Sequence, residues 1–336
     1  MTMGMSRLRR RQTLGALMLA TTLALGPTFA TAQGTAAGNY PNRPVTIIVP
    51  FAAGGGTDIV ARMLGNELSK RWKTSVVMEN KPGASGQIGN AMVARAKPDG
   101  YTLLVSTTAI IQEPSLYKHV PYAVFKDFTP LARIATSTSY LVVPASTPVQ
   151  NVDEFVAYAK SQKGHISYGS NGNGGSAHLQ GSLFNVSNQL DMVHVPYAGS
   201  APLITALLGK QVDAAIVDIS SLRAHLQSDK LKILAGTGQK RNPLLPQVPT
   251  LKEKGFSGFE PIGWYAILGP AGLPEPLKQT ISDALQEALK QPAVIKRIEE
   301  LGLTPAPLPA DAFAQQMKAD SPQWERMIKA GNVTIE

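Results

Sequence analysis

The stretch "YGSNGNGGSAHL", Tyr168 to Leu179, decides the fold. It carries four glycines and no lysine or arginine. An apolar strand pattern, Ile166 to Gly169, runs into it, and a helical pattern starting near Ser176 runs out of it. Strand, small-residue loop and helix start in that order are the junction of an α/β unit. Such a loop offers free backbone N–H groups at the positive end of a helix, which suits an anion without any cationic side chain.

Two further junctions share the pattern: "VPFAAGGGTD" (Val49 to Asp58) and "VPYAGSAP" (Val195 to Pro202). In all three the glycines let the backbone turn, and Thr57, Ser176 and Ser200 stand where N-caps are expected. Around them two similar series unfold. The first has strands at Val45–Pro50, Thr74–Asn80 and Tyr101–Thr107, with helices at Thr57–Trp72 and around Asn90–Arg95. The second begins at Leu141–Pro144 and continues through helix Val152–Ser161, strand Val193–Pro196, helix Ser200–Leu208 and strand Val212–Val217. A strand-like "WYAIL" and two amphipathic helices, Glu275–Leu289 and Ala312–Lys329, close the chain and are expected to pack on the first series. The expectation is an α/β fold of two lobes with largely parallel sheets, residues 33–140 plus 262–336 in one lobe and 141–261 in the other. The crossings between them are expected near Ser139–Val143 and Pro261–Tyr265.

The first 32 residues read as a secretory signal: Arg7 and Arg9 to Arg11, the apolar run Leu14–Leu25, then small residues at Ala30 and Ala32. The arginines leave both the general secretory and the twin-arginine route open. Removing them lowers the formal charge from +9 to +5, scattered without a basic run, so a nucleic-acid partner is not expected. Cysteine is absent, which excludes disulfides, thiolate catalysis and cysteine-held metals.

Catalytic and cofactor signatures are sparse. Gly172, Gly174 and Ala177 satisfy the GxGxxA form of a dinucleotide fingerprint, but the following strand ends "HVPYAG" without the acid that would hold a ribose. No GK[ST] follows either glycine cluster, and neither GxSxG nor HExxH occurs. His178 reads as a structural hydrogen-bonder or a ligand donor, and Asp58 and Asp218 as caps before they are bases. A triad assembled from distant residues remains open. No cofactor and no metal are expected.

The segments "VPFAAGGGTDIVAR", "ENKPGASGQIG", "PDGYTLL", "YGSNGNGGSAH", "VPYAGSAPLITALLGKQVD" and "PLLPQVPTLKEKG" occur in order from about Tyr40 to the C-terminus. Together they resemble the Bug family, the periplasmic solute-binding receptors of tripartite tricarboxylate transporters. The resemblance implies a type II, Venus-flytrap periplasmic binding protein whose two α/β lobes close on a small organic carboxylate held by main-chain N–H groups and bridging waters. It implies a monomer serving the membrane subunits of a transporter from the periplasm. The ligand set carried over is Phe51, Ala52, Gly55, Gly56, Thr57 and Asp58 on the first loop. On the second loop it is Ser170, Asn171, Gly172, Asn173, Gly174, Ser176 and His178. Tyr197, Ala198 and Gly199 form a further wall, with Thr107, Thr108 and Asp218 beside them. One departure stands out: where the family commonly runs into an Asn-Pro pair, this chain has "STTAIIQEPSLY", with Glu113 before Pro114. That makes this edge of the pocket more apolar or sets a carboxyl against an amino or hydroxyl group of the ligand. The competing readings are an exported hydrolase or lyase acting on a carboxylated substrate, and a receptor that feeds a sensor instead of a transporter.

Overall fold

The computed structural model describes residues 40–226 and 228–335; the expected signal segment lies outside them. The first half runs β1 (Val45–Val49), α1 (Gly56–Trp72), β2 (Val76–Asn80), α2 (Gln87–Ala94), β3 (Thr102–Thr107), α3 (Ala109–Leu116), α4 (Val124–Asp127) and β4 (Phe128–Ser137). The middle runs β5 (Ser139–Pro144), α5 (Val152–Ser161), β6 (Ser167–Ser170), α6 (Ser176–Ser187), β7 (Val193–Pro196), α7 (Ser200–Leu208), β8 (Ala214–Asp218), α8 (Ile219–Leu222) and β9 (Leu231–Gly236). The end runs β10 (Gly263–Pro270), α9 (Glu275–Leu289), α10 (Pro292–Glu300), β11 (Thr304–Pro309) and α11 (Ala310–Ala330).

Two sheets result, in the orders β11-β4-β10-β3-β1-β2 and β7-β6-β8-β5-β9. Each has a parallel part, where β1 lies between β2 and β3 and β6 lies between β7 and β8. Each also has an antiparallel part, so the expectation of largely parallel sheets needs correction. Strands β10, β4 and β11 run against their neighbours in the first sheet, and β5 runs against β8 and β9 in the second. The reason is connectivity: β4 carries the chain out of the first sheet, β5 and β10 enter their sheets from the opposite end as the chain crosses over and back, and β11 returns against β4 after α10.

The core explains why the helices sit where they do. Val60, Leu64 and Leu68 recur at the helical spacing on α1 and are fully buried against the first sheet, in a cluster with Ile47, Leu103 and Ile281. A second cluster runs from Ile48 and Leu104 through Trp264, Phe313 and Trp324 to Phe155 and Phe184, and so joins the two lobes along one side. Helix α11 is the bridge, packing on β4 and α3 of one lobe and on α6 of the other.

The crossings lie at the N-terminal edges of the expected stretches. Residues Ser139–Val143 form β5, with β8 on one side and β9 on the other, so the chain passes between lobes at Thr138. The return lies between Gly236 and Gly263, because Gly263 onward already belongs to β10.

Candidate functional site

A cavity of about 350 Å3 opens between the two sheets. The first lobe contributes the end of β3 and the start of α3 (Thr107, Thr108, Ala109), the next turn of that helix (Gln112, Glu113), Phe51, and Gly263 to Tyr265 of β10. The second lobe contributes the whole loop Asn171–Gly175 with the start of α6, Ser139, and Asp218 at the end of β8. Among the described residues no lysine, arginine or histidine lines it.

The wall made by α6 is electrostatically the most telling. Gly175 is its N-cap, with extended backbone (φ −74°, ψ 163°), and offers no side chain to the free amides of the first turn. That turn contains no acid. A helix start with unmet N–H groups, no side-chain cap and no neutralising carboxylate is an anion site of main-chain donors. The expectation that Ser176, Thr57 and Ser200 are N-caps is corrected. The caps are Gly175, Gly55 and Gly199, and the three hydroxyl residues lie within the first turns. Each loop ends on a glycine with extended ψ, so the helix begins earlier than the hydroxyl residue suggests. Ser176 instead accepts a hydrogen bond from Gln112 Nε2 at 3.0 Å, a link between the lobes.

His178 does not line the cavity. Its Nδ1 accepts the Gly174 N–H at 3.0 Å, which locks the loop and removes that amide from the donors available to a ligand. Its ring stacks on His194 at 3.8 Å, and His194 Nε2 lies 2.8 Å from Ser170 Oγ. Burial holds His178 below the usual histidine range. Burial, and after it the neighbouring His178, pushes His194 down to about 4. The stack is therefore neutral at physiological pH. Gly174 (φ 71°) has to be glycine twice over: its backbone is left-handed, and a Cβ would fall 2.1 Å from Ile335 Cδ1.

The first loop is built the same way and sits elsewhere. Gly54 (φ 81°) donates its N–H to Asp58 Oδ2 at 2.9 Å, Gly55 caps α1, and the helix starts at Gly56. Asp58 is only 2% exposed, receives Arg62 Nε at 2.8 Å and Asn80 Nδ2 at 2.9 Å, and is held down at about 2, chiefly by Arg62. It is a loop staple. Of this loop only Phe51 reaches the cavity, while Ala52, Gly55, Thr57 and Asp58 do not. Gly56 lines a smaller cavity of about 230 Å3 with Ser220, Ser221 and Leu301, and Tyr265 lines both cavities.

The remaining expected residues divide similarly. Asp218 lines the main cavity and caps α8, accepting the Ser221 N–H at 3.1 Å. Ser170 is fully buried behind the loop, and Tyr197, Ala198 and Gly199 stand outside the cavity wall. Sequence reasoning missed Gln112, Trp264 and Tyr265. The helix carrying Gln112 was hidden by Pro114 inside it, although the two threonines before it were visible. Tyr265 follows from period two along β10, next to Trp264, whose ring is in the core. Among the described residues no group of three or more His, Cys, Asp or Glu converges as a metal site.

Two lobes with mixed sheets, joined by crossings and enclosing an anion-suited cleft, define a two-lobed periplasmic binding protein fold. A family model described as the tripartite tricarboxylate transporter family receptor matches residues 60–333, and the chain belongs to that family. It is a family of solute-binding receptors, not of enzymes. The chain is 31% identical over 300 residues to the protein BugT of Bordetella pertussis, covering 89% of this chain and 92% of BugT. Among solved structures it is similar to an R. palustris protein with adipate, at 30% identity and TM-score 0.78, covering 88% of this chain and all of the other. It is likewise similar to MatC of Rhodopseudomonas palustris with bound malate, at 31% identity and TM-score 0.73, covering 86% of this chain and all of MatC.

Proposed function

We propose that this chain works in the periplasm as a monomeric receptor that captures a small organic carboxylate in the cleft and delivers it to the membrane subunits of a tripartite transporter. The carboxylate sits at the start of α6, on the amides of Gly175, Ser176 and Ala177, faced by the start of α3 at Ala109 from the other lobe. Residues 33–138 with 263–336, and 139–262, form the lobes that approach each other around it, and residues 1–32 direct export. The observation that carries this reading is the uncapped, acid-free start of α6 in the wall of a cavity without a cationic side chain. A ligand touching both lobes binds the closed state better than the open one, and that difference drives closure.

Malate and adipate accompany relatives of this chain, so they belong in the first titration. Calorimetry with a panel of small mono- and dicarboxylates is expected to give one-to-one binding of at least one acid, with a smaller radius of gyration by scattering in that complex. Turnover of a carboxylated ester, with no acid bound, would replace the receptor by the hydrolase reading.

A further inference from the structure

Helix α3 places two buried acceptors in the cavity wall. Glu113 is 2% exposed and Gln112 is 1% exposed, and both line the cavity. Glu113 Oε2 is engaged by the Tyr122 hydroxyl, and Tyr122 in turn receives Asn90 Nδ2 at 2.8 Å; neither Tyr122 nor Asn90 lines the cavity. Glu113 Oε1 has no partner, and neither has Gln112 Oε1, whose amide nitrogen is spent on Ser176. A buried carboxylate oxygen without a donor costs free energy that a ligand donor recovers. The orphaned oxygen belongs to the side of Glu113 not committed to Tyr122, and Asp218 on the opposite wall adds a second acid to a cavity with no cation.

We propose that Glu113 is the specificity residue of this cleft, selecting carboxylates that carry a hydroxyl or ammonium donor at their other end and disfavouring those that end in a second carboxylate. The inference rests on the reading of the cleft as a carboxylate site. One end of the ligand meets main-chain donors at α6, and the other meets the acceptors of α3. Burial raises the Glu113 carboxyl to about 7, against the hydrogen bond from Tyr122. The ionisable groups around it are Tyr122, Tyr117 and Tyr265 on its own lobe and Asp218 across the cavity. Burial holds the Tyr122 and Tyr265 hydroxyls protonated.

Two matched series, differing only at one end, test this: succinate, 4-hydroxybutyrate and 4-aminobutyrate, and adipate, 6-hydroxyhexanoate and 6-aminohexanoate. Calorimetry above neutral pH is expected to give at least about tenfold tighter binding of the hydroxyl or ammonium form than of the diacid in one series. Glu113→Gln is expected to weaken the ammonium form about tenfold and to strengthen the diacid, because the amide adds a donor. The wild-type protein supplies a second reading that needs no variant. As pH rises through about 7 and Glu113 loses its proton, the ammonium form should tighten and the diacid weaken. Diacids that bind as tightly as their donor-ended partners, with no opposed pH trends, overturn the inference and leave the carboxylate site intact. Failure of every acid in both series overturns the carboxylate site as well.

Discussion

The β1–α1 and β6–α6 loops are the same piece of architecture with different electrostatics. In each, a left-handed glycine (Gly54, Gly174) is followed by an extended glycine cap (Gly55, Gly175), and a side chain four residues on accepts the first glycine's N–H (Asp58, His178). The first clamp is a charged carboxylate within the opening turn of its helix, ion-paired with the half-exposed Arg62. The second is an imidazole kept neutral by burial, with the His194 ring stacked on it. A carboxylate in the first turn satisfies the positive end of α1 from within, so that end has little left for a ligand. A neutral imidazole locks the α6 loop equally well and leaves the positive end of the helix unspent. The loop that lines the main cavity is the one with the neutral clamp.

Proline at the first helical position removes one N–H without disturbing the helix, and both caps already have the extended backbone that proline requires of its predecessor. Ser176→Pro should weaken carboxylate binding by about 2 kcal/mol, roughly thirtyfold, the worth of a charge-assisted hydrogen bond. Ser176→Ala is the control for the lost hydroxyl. Gly56→Pro should change affinity by less than about threefold. Equal losses in both, measured by calorimetry, would break the distinction between the loops.

A smaller effect separates the two left-handed glycines. Gly54→Ala meets no atom within 4 Å, so only backbone strain of about 1 kcal/mol is expected. Gly174→Ala adds the displacement of Ile335 Cδ1 and should cost about 2 kcal/mol in denaturant unfolding.

Acid should open the loops in different windows. His178 and His194 titrate below the usual 6.5 in the folded chain, so the unfolded chain binds protons first as pH falls, and the second loop loses stability from 6.5 down to about 4. Asp58 is depressed from 3.8 to about 2, so its contribution is present above 3.8 and disappears between those values. Amide exchange at Gly174 should therefore accelerate at a higher pH than exchange at Gly54, and the reverse order would contradict the assignment of the clamps.

The junctions were legible in the sequence because strand, glycine cluster and helix start are local patterns, and the segments matching Phe51 and Asn171–Ser176 do reach the cavity. What lay beyond reach was non-local. Nothing near His178 announces that His194, on the next strand, stacks on it, and nothing near Tyr265 says that β10 returns from the other lobe beside β3. The caps were misplaced because Thr57, Ser176 and Ser200 are good capping residues in the wrong place by one or two positions. A cap is defined by backbone dihedrals that propensity alone does not fix.

Selective 15N labelling of glycine and alanine tests the central claim most directly, with the tightest-binding acid of the panel added to saturation. Amide shifts of Gly175 and Ala177 on α6, with Ala109 on α3, should exceed those of Gly55 and Gly56. Large shifts at Gly55 and Gly56 with none at Gly175 and Ala177 would place the carboxylate on the first loop and contradict the account.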